Sequence, residues 1–273
     1  MNTNSPNYLV VGAMKAGTSA LALNLSKHPD VFCMTPYWKN KAAERYGYNL
    51  SDYKGQLTNA GSKEMDFFNH SDNFNLGVPF YESFFPLNKT AIGEVSPNYF
   101  PVSGSSAYGD CVDNIKNTYP NMKIIAVLRD PINRAFSHWN QIQSTNPSWG
   151  TRFYGKSFNQ ATEQTPVKNG ILNRGKYASH LKLYIEAFGS DNVHVELQED
   201  LLNSPLAPTN RIYEFLGVDA LDSDPGFRQV FTGSYSNSPD SDSIDFLTTE
   251  YKTEVDEIKT LFPDKDYSLW RTY

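Results

Sequence analysis

The sequence predicts an α/β protein, a P-loop-type parallel sheet of about four to five strands flanked by helices and interrupted by long loop insertions. Three observations predict it. Short apolar runs of strand length recur along the 273 residues, with helical patterns between them. Those runs are almost continuously apolar rather than alternating, as strands covered on both faces are. The first of them leads through a glycine-bounded loop into a helical run, the order of elements that cradles phosphate.

Tyr8 to Val11 is the first strand, and Ser19 to Lys27 the helix after its loop. Ala91 to Val95 and Lys123 to Leu128 are the next two strands. Pro131 to Gln143 reads as a helix with Asp130 as N-cap and Pro131 at the first helical position, where a missing N–H costs nothing. Tyr177 to Phe188 is a helix stopped by Gly189, and Val193 to Leu197 is the fourth strand. Arg211 to Leu216, stopped by Gly217, and the long acidic amphipathic run Ser241 to Phe262 complete the set. Residues 34–62 are polar and Tyr-rich with little periodicity, and residues 144–172 carry Pro147, Gly150, Gly155 and Pro166. Both read as loop insertions, either walls of an acceptor cleft or ordinary surface excursions. With no internal repeat, residues 1–273 are expected to form one domain.

Hydrophobic residues make up 39% of the chain and charged residues 20%, a globular balance. The net charge of −6, with no Lys/Arg cluster, argues against a general nucleic-acid surface. Mean hydropathy is −0.52. No apolar run approaches the ~18 residues of a membrane span. The opening Met1-Asn2-Thr3-Asn4-Ser5-Pro6 has neither a basic nor an apolar leader region, so a cytoplasmic protein is expected. Cys33 and Cys111 have no metal-site spacing and read as buried free thiols.

Four segments carry chemistry. The first is Gly12-Ala13-Met14-Lys15-Ala16-Gly17-Thr18-Ser19, whose helix-start N–H groups would face an anion. A triphosphate loop reads G-x-x-x-x-G-K-[ST]; here Thr18 occupies the Lys position and the lysine comes earlier, at Lys15. The loop therefore suits phosphate but not the β- and γ-phosphates of Mg-ATP; the plain alternative is a turn capped by Thr18 or Ser19. The second is Lys63-Glu64-Met65-Asp66-Phe67-Phe68, a carboxylate beside an ammonium and two aromatics, which tunes a base if it is partly buried and is otherwise a solvated edge. The third runs from Lys123 to Arg129-Asp130-Pro131 and on to Arg134, Ser137 and His138. It places Arg129 at a strand's carboxyl end, where α/β sheets bind ligands, and Arg grips phosphate bidentately; pairing with Asp130 is the alternative. The fourth, Gly93-Glu94-Val95-Ser96-Pro97-Asn98-Tyr99-Phe100, puts Glu94 and Ser96 near the same sheet edge.

Together these segments resemble the sulfotransferases that use 3′-phosphoadenosine 5′-phosphosulfate (PAPS), in particular the branch containing the heparan sulfate sulfotransferases and their bacterial relatives. A K-x-G-T-[ST] loop matches Lys15, Gly17, Thr18 and Ser19; K-E-x-x-F-F matches Lys63, Glu64, Phe67 and Phe68. E-x-S-P-x-Y-F matches Glu94, Ser96, Pro97, Tyr99 and Phe100, and R-[DN]-P-x-x-R-A-x-S matches Arg129, Asp130, Pro131, Arg134, Ala135 and Ser137. A later G-x-Y with an acidic pair is similar to Gly175, Tyr177, Glu199 and Asp200. The chain departs from the family in the length of residues 34–62, and in a late loop near Gly233 to Ser238 that has no Lys.

The resemblance implies PAPS as sulfuryl donor, held by Lys15, Ala16, Gly17, Thr18 and Ser19 at its 5′-phosphosulfate and by Arg129 and Ser137 at its 3′-phosphate. It implies Glu64 as general base toward a hydroxyl or amine of a carbohydrate or small-molecule acceptor, with Lys15 and Lys63 assisting catalysis and no metal. His70 and His138 are rival bases. A P-loop kinase and a non-catalytic binding module of the same fold are the alternatives.

Overall fold

Five parallel strands carry the fold in the computed structural model, which describes residues 5–86, 88–100, 111–144, 155–163, 170–228 and 238–273. They are β1 (Tyr8–Gly12), β2 (Val31–Cys33), β3 (Ala91–Val95), β4 (Lys123–Leu128) and β5 (Val193–Leu197), in the order β2-β3-β1-β4-β5. β1 and β3 are buried throughout and β4 everywhere but at Lys123, as continuous apolar runs require. The four predicted strands occur where expected, with β1 one residue longer. β2 escaped prediction because three residues at a sheet edge are too short to show a period.

The helices are α1 (Thr18–Leu25), α2 (Pro36–Tyr46), α3 (Ser71–Phe74), α4 (Val78–Glu82), α5 (Cys111–Thr118), α6 (Pro131–Ser144), α7 (Phe158–Glu163), α8 (Gly170–Asn173), α9 (Tyr177–Phe188), α10 (Gln198–Asn203), α11 (Leu206–Leu216) and α12 (Ser241–Leu261). Gly189 ends α9 and Gly217 ends α11, as predicted. α11 starts five residues before the predicted Arg211 and carries Pro208 near its start, where the ring is tolerated. Helix α12 packs on α9, α6 and α7. Among the described residues, no helix is long and apolar enough to cross a membrane. Both cysteines are free and buried.

The expectation that residues 34–62 form a loop insertion is corrected. α2 fills its first half, and 3₁₀ turns follow at Leu50–Asp52 and Gly55–Thr58. Thr35 caps α2 by accepting from the Trp38 N–H at 3.2 Å, and Pro36 stands at the first helical position. The helix has no readable apolar stripe because its buried face is Lys39, Ala42 and Ala43, two small side chains and a charge. The second expected insertion is likewise not all loop. α6 runs to Ser144, and α7 and the start of α8 lie within 155–172; residues 145–154 and 164–169 lie outside the described residues.

The strand order fixes where a site can form. The chain goes from β1 to β2 and β3 on one side, then crosses to β4 and β5 on the other. The carboxyl ends of β1 and β4 therefore flank a topological switch point, where open α/β sheets leave a crevice. Gly93 lets β3 lie against β1: a Cβ there would stand 2.2 Å from the Tyr8 carbonyl oxygen. Gly93→Ala is expected to destabilise the fold by about 1–3 kcal/mol through overpacking. Urea denaturation should show this as a lower midpoint at unchanged slope.

Candidate active site

The loop after β1 turns on two left-handed residues, Lys15 (φ 70°) and Gly17 (φ 87°). It is pinned at its start by the Ala13 N–H donating to the Val127 carbonyl at 2.8 Å, and Gly12 leaves room for the Phe100 ring, 2.7 Å from where a Cβ would stand. Gly17 is the cap residue of α1 and there is no side-chain cap, so the plain turn capped by Thr18 or Ser19 is not what forms. The helical ladder begins with the Leu21 N–H donating to the Gly17 carbonyl at 3.1 Å. The N–H groups of Thr18, Ser19 and Ala20 precede it and have no acceptor within the helix.

Arg129 emerges from the end of β4 and its Nη1 donates to the Lys15 carbonyl at 3.3 Å. The structure thus brings the first and third predicted segments into one crevice. Burial, then the charges of Arg129 and Arg134, pull the Lys15 ammonium below its ordinary value. Arg134 on α6 is wholly buried and donates through Nη2 to the Ile171 carbonyl, while its Nε and Nη1 have no hydrogen-bond partner among the described residues. Ser137 lies three residues further along the same helix and is also buried. Three cations gathered in a chain of net charge −6 make a local field that favours an anion.

The Lys63–Glu64 segment runs across the end of β3, and side chains accept from its backbone. The Met65 N–H donates to Glu94 Oε2 at 3.1 Å and Ser96 Oγ at 3.0 Å, and the Phe67 N–H to the Tyr99 hydroxyl at 3.0 Å. Lys39 Nζ donates to the Glu64 carbonyl at 3.2 Å. Lys63 Nζ reaches both Glu64 Oε1 and the Val95 carbonyl, each at 3.2 Å. The Glu64 side chain is 18% exposed, so it is neither a solvated edge nor sealed away. Burial pushes its carboxyl up, Lys63 and Arg174 pull it back, and Asp66 adds to the rise. Its affinity for protons is therefore raised while an ammonium faces it, the setting that tunes a base.

Residues 6–223 match the sulfotransferase family. The chain belongs to that family. It is 27% identical over 222 residues to a human bifunctional heparan sulfate N-deacetylase/N-sulfotransferase 2, covering 78% of this chain and 22% of that protein. A Drosophila melanogaster bifunctional heparan sulfate N-deacetylase/N-sulfotransferase is 28% identical over 235 residues, covering 79% of this chain and 20% of its own length. The chain therefore spans about a fifth of the length of these relatives. A crystal structure of a sulfotransferase from Alicyclobacillus acidocaldarius is similar along nearly the whole of both chains, 98% of this one and 99% of that one, with a TM-score of 0.68 and 25% identity. A Mycobacterium avium sulfotransferase shares the fold at a TM-score of 0.54 and 12% identity, over 92% of this chain and 76% of that one.

In this sulfotransferase-family chain, the residues that sequence reasoning missed are those that hold the site. Asp66, at φ 46°, accepts from the Gln56 N–H at 2.9 Å and from Asn98 Nδ2 at 3.2 and 3.1 Å. Arg174 donates to Asn98 Oδ1 at 2.8 Å and to the Pro97 carbonyl at 3.1 Å. Its charge acts on Glu64 and on His138, and so links the Glu64 side of the site to the cationic side. Arg174 precedes the Gly175-x-Tyr177 match by one residue, which is the only signal it gave. Of the rival bases, His138 lies by Gly170 and is held well below the ordinary histidine value by burial, Arg134, Arg174 and Lys15. His70 lies with Asp66 against Gly55. Tyr177 donates its hydroxyl to the Arg129 carbonyl at 2.8 Å and Glu199 accepts from the Asp130 N–H at 3.1 Å, so both support the β4 end. The late loop near Gly233 lies outside the described residues, save for Ser238.

Asp66→Ala would strand the Gln56 N–H and the Asn98 amide and put Ala at a positive φ. It is expected to cost roughly 2–4 kcal/mol, read by chemical denaturation.

Proposed function

We propose that this chain transfers a sulfuryl group from PAPS to an amine or hydroxyl of a carbohydrate or small-molecule acceptor, with Glu64 as general base. The observation that carries the reading is the contact between Arg129 Nη1 and the Lys15 carbonyl, which gives one crevice two separate anion-binding elements. A nucleotide with a phosphosulfate at one end and a 3′-phosphate at the other matches that pair. The residues fit it chemically: Lys15 is crowded by like charge, and the α1 amides open toward the same loop. Membership of the sulfotransferase family and the similarity to proteins named as N-sulfotransferases support both the donor and an amine acceptor.

When bound, PAPS supplies a sulfuryl group whose leaving group is a phosphate. Lys15 and the loop N–H groups neutralise charge developing on that phosphate, a preorganised electrostatic contribution. Ala16, Gly17, Thr18 and Ser19 hold the 5′ end through backbone and hydroxyl donors, and Arg129 with Ser137 holds the 3′-phosphate. Glu64 takes the acceptor proton as the new S–O or S–N bond forms. Lys63, fixed between Glu64 and the Val95 carbonyl, keeps that carboxylate ionised and aimed. Thr18 at the position of the triphosphate-loop lysine disfavours a kinase.

The test is transfer of radiolabelled sulfur from PAPS to N-desulfated heparin, a neutral glycan and a phenol. Glu64→Gln should cut turnover by roughly 10²–10⁴-fold while thermal stabilisation by 3′,5′-bisphosphoadenosine survives. Full turnover in that variant removes Glu64 from the base role. Lys63 favours the ionised Glu64, so its loss raises the carboxyl's affinity for protons. Lys63→Met is therefore expected to move the acid limb of the turnover profile to higher pH; a limb that stays put or falls refutes the pairing.

A further inference from the structure

Trp270, Arg271 and Tyr273 converge on the peptide that carries Arg129, from beyond the stretch that matches the family. The Arg271 N–H donates to Asp130 Oδ2 at 2.9 Å, and the Tyr273 hydroxyl donates to the same oxygen at 2.9 Å. Arg271 Nη2 reaches Asn133 Oδ1 at 3.2 Å, and its Nε lies 3.9 Å from Asp130 Oδ1. Trp270 Nε1 donates to Glu199 Oε2 at 3.2 Å, and the other oxygen of Glu199 holds the Asp130 N–H. The Trp270 ring is buried, 6.1 Å from the Tyr177 ring, and Tyr177 holds the Arg129 carbonyl.

Asp130 itself is wholly buried, and its other oxygen accepts from the Asn133 N–H at 2.8 Å as the cap of α6. A buried carboxylate is stable only while its donors are complete. The C-terminal strap supplies both donors to Oδ2, so the orientation of the Arg129–Asp130 peptide depends on it.

We propose that residues Trp270, Arg271 and Tyr273 form a strap that positions Arg129 for the 3′-phosphate of the nucleotide, acting through Asp130 and Glu199. The inference rests on the reading of Arg129 as the 3′-phosphate anchor. The three are positioning residues, acting on Arg129 through Asp130 and Glu199. Their loss acts on the 3′ end of the ligand and leaves the grip of the Lys15 loop on the 5′ end unchanged.

The experiment compares 3′,5′-bisphosphoadenosine with adenosine 5′-monophosphate, which lacks the 3′-phosphate, by calorimetric titration of the full chain. Tyr273→Phe removes one hydroxyl and Trp270→Phe one N–H donor, each keeping a ring in place. Each should weaken the bisphosphate by roughly 3- to 30-fold, the range for mutations that act through a network, and leave the monophosphate unchanged. Adding Arg129→Ala to either variant should cost less than the two separate losses combined, since the strap works through that side chain. Equal weakening of both nucleotides, or bisphosphate affinity unchanged in both strap variants, overturns the proposal. A wild-type chain that binds no bisphosphate refutes instead the donor reading on which the strap rests. Thermal melts of each unliganded variant separate a general loss of fold from loss at the 3′ end.

Discussion

The carboxylate of Glu94 is the interaction on which the site depends. It is wholly buried on β3 and accepts from the Ser96 hydroxyl at 2.5 Å, the Tyr81 and Tyr99 hydroxyls at 2.7 Å each, and the Met65 N–H at 3.1 Å. Burial pushes its carboxyl up and these four donors pull it back. A charge so placed is tolerated only when its lone pairs are filled, so the donors cannot move independently. One donor is the backbone of the segment that carries Glu64, and two others are rings of an aromatic cluster with Phe67 and Phe68. The Lys63–Glu64 segment is therefore fastened to the central sheet without being a strand of it.

The two halves of the crevice are built by different means. On the Lys15 side, backbone geometry sets the frame: a tight left-handed turn, the start of a helix and a strand end meet because parallel strands share one carboxyl edge. On the Glu64 side, ion pairs and side-chain hydrogen bonds do it, through Lys63, Asp66, Asn98 and Arg174. Lys39 adds a buried ammonium that holds the carbonyls of Gln56, Asn59 and Glu64 together. Burial lowers its affinity for protons to about 8, while the carboxylates of Glu94, Glu64 and Asp66 work the other way. Backbone-built anion sites tolerate sequence change, because any residue but proline supplies an N–H. A network of buried charges does not, because each member leaves another unpaired when it is lost.

Much of the sheet was legible from the chain alone. The four apolar strands fell where their runs predicted, and Gly189 and Gly217 stopped the helices they were expected to stop. α2 was not legible, since its inward face is two alanines and a lysine and hydrophobic periodicity has nothing to register. Lys15 and Arg129 stood out because they follow strand-length apolar runs, and Glu64 because an ammonium and two aromatics accompany it. Asp66, Asn98 and Arg174 did not, because their meaning lies in one another, and they are 32 and 76 residues apart along the chain.

Residue order and type determined the α/β class, the phosphate-type turn after β1 and the candidates Lys15, Glu64 and Arg129. These are local patterns, set by strand period, glycine conformational freedom and the chemistry of single side chains. Tertiary structure decided that Lys15 and Arg129 share a crevice, that Glu94 is a buried clamp, and that the chain end folds back on Asp130. Those outcomes come from strand order and the need to pair every buried polar group, constraints that act between residues far apart in sequence.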